Sequence, residues 1–99
     1  MKASLRNKLE ILVERAEEVS ALLADGSIAA NGDQYRKLSK EHAELTPVVD
    51  VWTAYRQSEA DEAEARVLLK EPDFREMAED ELKSSAERQE SLQAELEML

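Results

Sequence analysis

The chain has 99 residues, which is enough for one small domain with a thin hydrophobic core. Its formal net charge of -10 disfavours direct binding to the phosphate backbone of nucleic acids, and the absence of cysteine excludes disulfides and thiol chemistry. Only two glycines and two prolines accompany 36% charged residues, so the composition predicts long helices joined by short connections.

A first helix is predicted at about residues 5–23, with Ser4 as its N-cap. The segment before it has no apolar run typical of a signal peptide, and no stretch of the chain approaches the roughly 18 apolar residues that span a bilayer. Apolar side chains recur in this helix at steps of four and three, the spacing of a helix that lies along another helix. They are Leu5, Leu9, Leu12, Ala16, Val19 and Leu23.

Turn-forming residues between Ala24 and Gly32 predict a loop, and a second helix is predicted at about residues 33–69 with Asp33 as N-cap. Pro47 lies inside this pattern and, with Thr46 as a cap, either kinks the helix or ends it and begins another. A kink or tight break near residues 46–47 is favoured, with the apolar stripe continuing on the same side. The stripe is Tyr35, Leu38, His42, Leu45, Val49 and Trp52.

A third helix is predicted at about residues 73–98, after the Glu71-Pro72 dipeptide closes the second. Asp73 and Glu76 have the spacing of a capping box. The pattern reaches Leu99 without a terminating signal, so we expect the chain to be a fragment of a longer protein. Its stripe, with polar gaps at Ser85 and Gln89, is Phe74, Ala78, Leu82, Ser85, Gln89, Leu92, Leu96 and Leu99.

Together these elements predict an all-α fold, an antiparallel three-helix bundle or helical hairpin with coiled-coil-like packing, in one domain over residues 1–99. Catalytic chemistry is not expected. His42 is the single histidine and is predicted to be a packed or half-exposed helix residue rather than a metal ligand or part of a nucleophile relay. Trp52 and Tyr55 are one turn apart and are predicted to be core anchors rather than a base-stacking platform. We therefore expect no catalytic, cofactor-binding or metal-binding residues.

Three stretches of the chain are informative in their order and spacing. The first runs from Lys8-Leu9-Glu10 through Glu14-Arg15 and Glu17-Glu18 to Ala21-Leu22-Leu23. The second is Tyr35-Arg36-Lys37-Leu38-Ser39-Lys40-Glu41-His42-Ala43-Glu44-Leu45. The third is Ala65-Arg66-Val67-Leu68-Leu69 followed by Glu71-Pro72-Asp73-Phe74-Arg75-Glu76-Met77-Ala78-Glu79-Asp80-Glu81-Leu82. Together, and through the last stretch above all, they resemble the beginning of bacterial peptide chain release factors of the release factor 1 type. The related release factor 2 type shares the architecture.

The resemblance implies an accessory N-terminal domain of a cytoplasmic protein that directs translation termination at stop codons and is methylated in its full-length form. The family's Gly-Gly-Gln loop for peptidyl-tRNA hydrolysis and its Pro-x-Thr tripeptide for codon reading have no counterpart here, because Gly26 and Gly32 are not adjacent and Pro47 is followed by two valines. No catalytic residue is therefore carried over. The implied partners are the ribosome, at the large-subunit stalk base with ribosomal protein L11, and the recycling GTPase release factor.

Candidate residues for a partner contact lie in the charged segment after Trp52: Arg56, Glu59, Asp61, Glu62 and Arg66. The alternative function is a stand-alone coiled-coil interaction module, in which the apolar stripes of the first and third helices pair between chains. An enzyme in its own right is disfavoured by the missing chemistry.

Overall fold

The computed structural model describes all 99 residues, contains no strand, and confirms the all-α class. The chain divides into two compact units, Met1–Asp50 and Val51–Leu99, and the longest helix contributes to both. That the whole chain acts as a single domain stays a prediction. The elements in chain order are helix α1 (Ala3–Leu23), the single-turn helix α2 (Gly26–Ala29), helix α3 (Gly32–Leu68), a 3-10 turn (Pro72–Phe74) and helix α4 (Arg75–Met98).

The first unit packs α1 against the beginning of α3 around a small aliphatic core. Val19, Leu38 and Leu45 are buried at its centre. Leu38 and Leu45 are seven residues apart, so they project from the same side of α3 onto α1. The partly buried side chains around them are Leu12, Ala16, Leu22, Leu23 and Ile28.

Two positions of the predicted stripe in α3 are wrong. His42 is exposed, and Tyr35 keeps 42% of its surface exposed. The neighbouring Glu41 faces α1 instead, where it meets Arg15. Glu41 and His42 are three and four residues after Leu38, so they lie at similar angles on opposite sides of it. Spacing alone therefore does not decide which of the two faces α1.

The helix caps also differ from those predicted. Helix α1 begins at Ala3, before Ser4, and its capping residue Lys2 makes no side-chain cap. Asn31 rather than Asp33 caps α3, since its Oδ1 accepts a hydrogen bond from the backbone N–H of Gln34 at 3.2 Å. The loop before it contains α2, which Asp25 caps by accepting from the backbone N–H of Ser27 at 2.9 Å. Neither glycine adopts a positive φ, so these turns use ordinary helical geometry.

Pro47 lies inside α3, and the helix does not end there. Proline has no N–H to donate to the carbonyl of Ala43, so one hydrogen bond of the helical ladder is missing. The Thr46 hydroxyl does not cap a new helix but donates to the carbonyl oxygen of His42 at 2.8 Å. Of the two alternatives, the one in which Pro47 starts a second helix is therefore wrong.

The second unit packs the remainder of α3 antiparallel to α4. The predicted capping box at Asp73 is not formed, because Asp73 lies in the 3-10 turn and α4 begins after Phe74 without a side-chain cap. Trp52 and Tyr55 are each 4% exposed, which confirms them as core residues. No helix in either unit has the length and apolar character needed to cross a bilayer.

Candidate functional site

Small residues form the contact between α3 and α4. Ser58 and Ala65 on α3 are seven residues apart, as are Ala78 and Ser85 on α4, and all four are 2% exposed or less. The Ser58 hydroxyl donates to the carbonyl oxygen of Ser85 at 3.1 Å. Such a short distance between a side chain and the facing backbone requires a close helix approach. The polar gap that the sequence shows at Ser85 is therefore a place where α3 and α4 approach closely.

Glu62, one of the predicted contact residues, is held by two partners. Its Oε1 accepts from Arg66 Nη2 at 2.7 Å on the same helix, and its Oε2 accepts from Gln89 Nε2 at 2.7 Å across the interface. The hydrogen bond from Arg66, and then that from Gln89, hold the pKa of Glu62 below its ordinary value, because both favour the charged form. Glu62 thus joins α3 to α4, and Arg66 holds it in place from its own helix.

Asp61 belongs to a second cross-helix group centred on Arg88. Arg88 Nη2 lies 2.7 Å from Glu81 Oε1 and 3.6 Å from Asp61 Oδ2. Hydrogen bonds from Arg88, the larger effect, and from Ser85 lower the pKa of Glu81. Asp61 Oδ1 also accepts from Gln57 Nε2 at 3.0 Å. Arg88 on α4 therefore offsets the negative charge of one carboxylate on each helix.

Arg56 and Glu59 lie next to the aromatic pair. Their side chains approach to 3.5 Å, and Arg56 Cζ is 5.7 Å from the centroid of the Trp52 ring, within cation–π distance. Trp52 and Tyr55 stack with their centroids 5.6 Å apart. Arg56 thus has both a charged and an aromatic partner within the second unit.

The five predicted contact residues have different partners within the chain. Glu62 faces Gln89 and is paired with Arg66, Asp61 faces Arg88, and Arg56 and Glu59 lie near Trp52. Their use as a partner contact stays a prediction. Sequence reasoning missed the α4 side of these pairs. Among the α4 residues Ser85, Arg88 and Gln89, a signal was present for two: Ser85 and Gln89, the polar gaps in the α4 stripe, both form hydrogen bonds with α3.

An open groove of about 600 Å³ lies further along the same two helices, toward the turn that joins them. Ala65, Leu68, Met77 and Ala78 supply apolar surface. Carboxylates come from both helices, and the polar lining residues are Asp61, Glu64, Asp80, Glu81 and Ser84. No group of acidic, histidine or cysteine side chains in the chain has the arrangement of a metal site.

The first unit has one notable cross-helix ion pair. Arg15 donates from Nε to Glu41 Oε2 at 2.7 Å and from Nη2 to Oε1 at 2.8 Å, a bidentate geometry. The hydrogen bonds raise the pKa of Arg15 and lower that of Glu41, because each charge favours the other. Arg15 also contacts Glu18 at 3.1 Å. These groups support helix packing rather than a reactive site.

Comparison with known proteins identifies the relationship. The PCRF domain matches residues 12–99, so the match begins inside α1 and includes all of α3 and α4. No solved structure matches the chain. Because the match covers most of the sequence, the chain belongs to the PCRF domain family, the domain of class I peptide chain release factors, which act in translation termination.

Proposed function

We propose that this chain is an accessory N-terminal domain of a release factor, which contacts the stalk base of the large ribosomal subunit and performs no catalysis itself. The PCRF match over residues 12–99 carries the proposal. The implied partners are ribosomal protein L11 and the recycling GTPase, and the implied location is the cytoplasm, where ribosomes act.

The charge distribution supports a protein partner. Residues 51–99 contain fourteen acidic and six basic side chains, a formal charge of -8, whereas residues 1–50 carry only -2. Most of the negative charge therefore lies in the second unit. Such a surface repels phosphate groups and attracts basic proteins, with an effect on the association rate that decreases as salt is added.

The experiment uses the 99-residue chain itself. It is incubated with large ribosomal subunits, with and without ribosomal protein L11, and binding is measured by co-sedimentation. We expect binding that requires L11 and weakens with salt, and no release of the nascent chain from a termination complex. An acidic helical protein of equal charge is the control. Peptidyl-tRNA hydrolysis by the chain alone would contradict the proposal, as would binding no stronger than that of the control.

The alternative, self-association through apolar stripes, is less favoured by the packing. Leu12, Ala16 and Val19 of the α1 stripe already pack against α3 within the first unit. A stripe that is covered within one chain leaves little apolar surface for a second copy. We expect a molar mass that does not change with concentration in light scattering. A dimer that loses helical circular dichroism signal as it is diluted would favour the coiled-coil module instead.

A further inference from the structure

The groove at the α3–α4 turn has an apolar part and an uncompensated acidic part. Of its four carboxylates, Asp61 and Glu81 share Arg88. Glu64 on α3 and Asp80 on α4 form no ion pair within the chain, although both line the groove. A charged residue from each helix thus borders the groove without a cationic partner, and no lysine or arginine lines it.

The apolar part is accessible. Met77 keeps 56% of its surface exposed and Leu68 is half-buried, while Ala65 and Ala78, which line the same groove, are buried. Small buried residues beside larger, accessible ones leave room for a side chain to enter the groove. Methionine is unbranched and flexible, so it adapts to apolar side chains of different shape.

We infer that this groove binds a basic segment of a partner protein, with an apolar side chain placed against Leu68 and Met77 and cationic side chains placed against Glu64 and Asp80. Charge complementarity selects this occupant, because the unit around the groove has a formal charge of -8. Nucleic acid and anionic lipid surfaces carry the same sign of charge as the groove and are repelled. The inference deepens the proposed function, on which it rests, by naming the surface and the partner chemistry of the ribosome contact.

The matched variants differ only in where charge is removed. Glu64→Gln with Asp80→Asn neutralises the two groove carboxylates. Glu87→Gln with Glu95→Gln removes the same charge from exposed positions of α4 that do not line the groove. Because all four side chains are exposed or at helix surfaces, both variants are expected to fold, and far-ultraviolet circular dichroism checks this.

The probe is a short fluorescein-labelled amphipathic peptide of lysine, leucine and alanine, with a second peptide in which serine replaces leucine. Binding to the 99-residue chain is measured by fluorescence anisotropy, and the site is mapped from amide chemical shifts. We expect shifts confined to residues 61–68 and 77–84. The groove variant should bind about tenfold more weakly, since two charge contacts are lost, and the control variant should change affinity by less than about twofold. Met77→Ala should weaken the leucine peptide but not the serine peptide.

Equal weakening by the groove and control variants, or shifts spread evenly over α4, would overturn the inference and leave only non-specific charge attraction. The same two variants are then assayed for co-sedimentation with large ribosomal subunits. If the groove variant binds ribosomes as the unaltered chain does, the groove inference fails while the proposed function stands. If no form binds ribosomes but the peptide results hold, the proposed function fails and the basic-segment site is supported.

Discussion

Because α3 and α4 approach closely at Ser58, we expect a larger side chain at this position to destabilise the protein. This side chain is 2% exposed and donates to the backbone of Ser85, which is itself fully buried. Leucine at this position has no space and must displace one helix, which costs about 1–3 kcal/mol. The lost hydrogen bond adds about 1 kcal/mol, so Ser58→Leu should lower the free energy of unfolding by about 2–4 kcal/mol.

Ser58→Ala should cost about 1 kcal/mol or less, because alanine fits and the Ser85 carbonyl keeps its helical partner, the N–H of Gln89. Ala63→Leu, at an exposed position of α3, is the control for adding a leucine and should change stability by less than about 0.5 kcal/mol.

Urea unfolding measures these differences, followed by circular dichroism and by the fluorescence of Trp52, which is buried in the same unit. With a urea dependence of about 1–1.5 kcal/mol per molar, the Ser58→Leu midpoint should fall by about 2 M. A Ser58→Leu protein as stable as Ala63→Leu would refute the close packing. A Ser58→Ala loss as large as that of leucine would show that the hydrogen bond, rather than size, matters.

Three further predictions concern charge and backbone. A double-mutant cycle of Arg15→Ala and Glu41→Ala should give a small favourable coupling that shrinks with added salt, because both side chains are about a third exposed and screened by water; a coupling unaffected by salt would contradict this. The pKa of Glu62 is lowered on folding from about 4.5, so its contribution is complete above that pH and is lost as the pH falls through the folded-state value. The difference in unfolding free energy between the unaltered chain and Glu62→Gln should therefore shrink between neutral and acidic pH, and a constant difference would exclude the linkage. Pro47→Ala should raise the free energy of unfolding by about 1–2 kcal/mol, because the restored helical hydrogen bond outweighs the greater flexibility of the unfolded chain. A lower Tm in calorimetry would mean that the proline geometry is required.

The buried side of each helix can be predicted from the local sequence. Spacings of three and four placed Leu9, Val19, Leu38 and Leu45 on the buried side, and all four are buried. Such positions follow from helix periodicity, because the apolar side of a helix must face another element whatever that element is. The sequence also predicts partner-contact residues in the charged segment after Trp52, and this stays a prediction, since their contacts within the chain are with Gln89, Arg88 and Trp52.

Helix ends were harder to predict. Ser4, Asp33 and Asp73 each have suitable cap chemistry, but the helices begin at other residues. A cap contributes only about 1 kcal/mol, so helix ends shift when packing or a preceding turn favours another start. Asn31 illustrates this, because it caps α3 two residues before the predicted site.

The amino-acid sequence by itself determined that the chain is helical, that Leu9, Val19, Leu38 and Leu45 are buried, and that it resembles class I release factors. Only the tertiary structure decided what the polar residues of the α3–α4 interface do. Ser58 is an ordinary helix-surface residue in the sequence, and Ser85 and Gln89 are polar gaps in an apolar stripe, yet all three join α3 to α4 through hydrogen bonds. Their roles depend on the distance to residues about 30 positions away in the chain, and local periodicity contains no information on that distance.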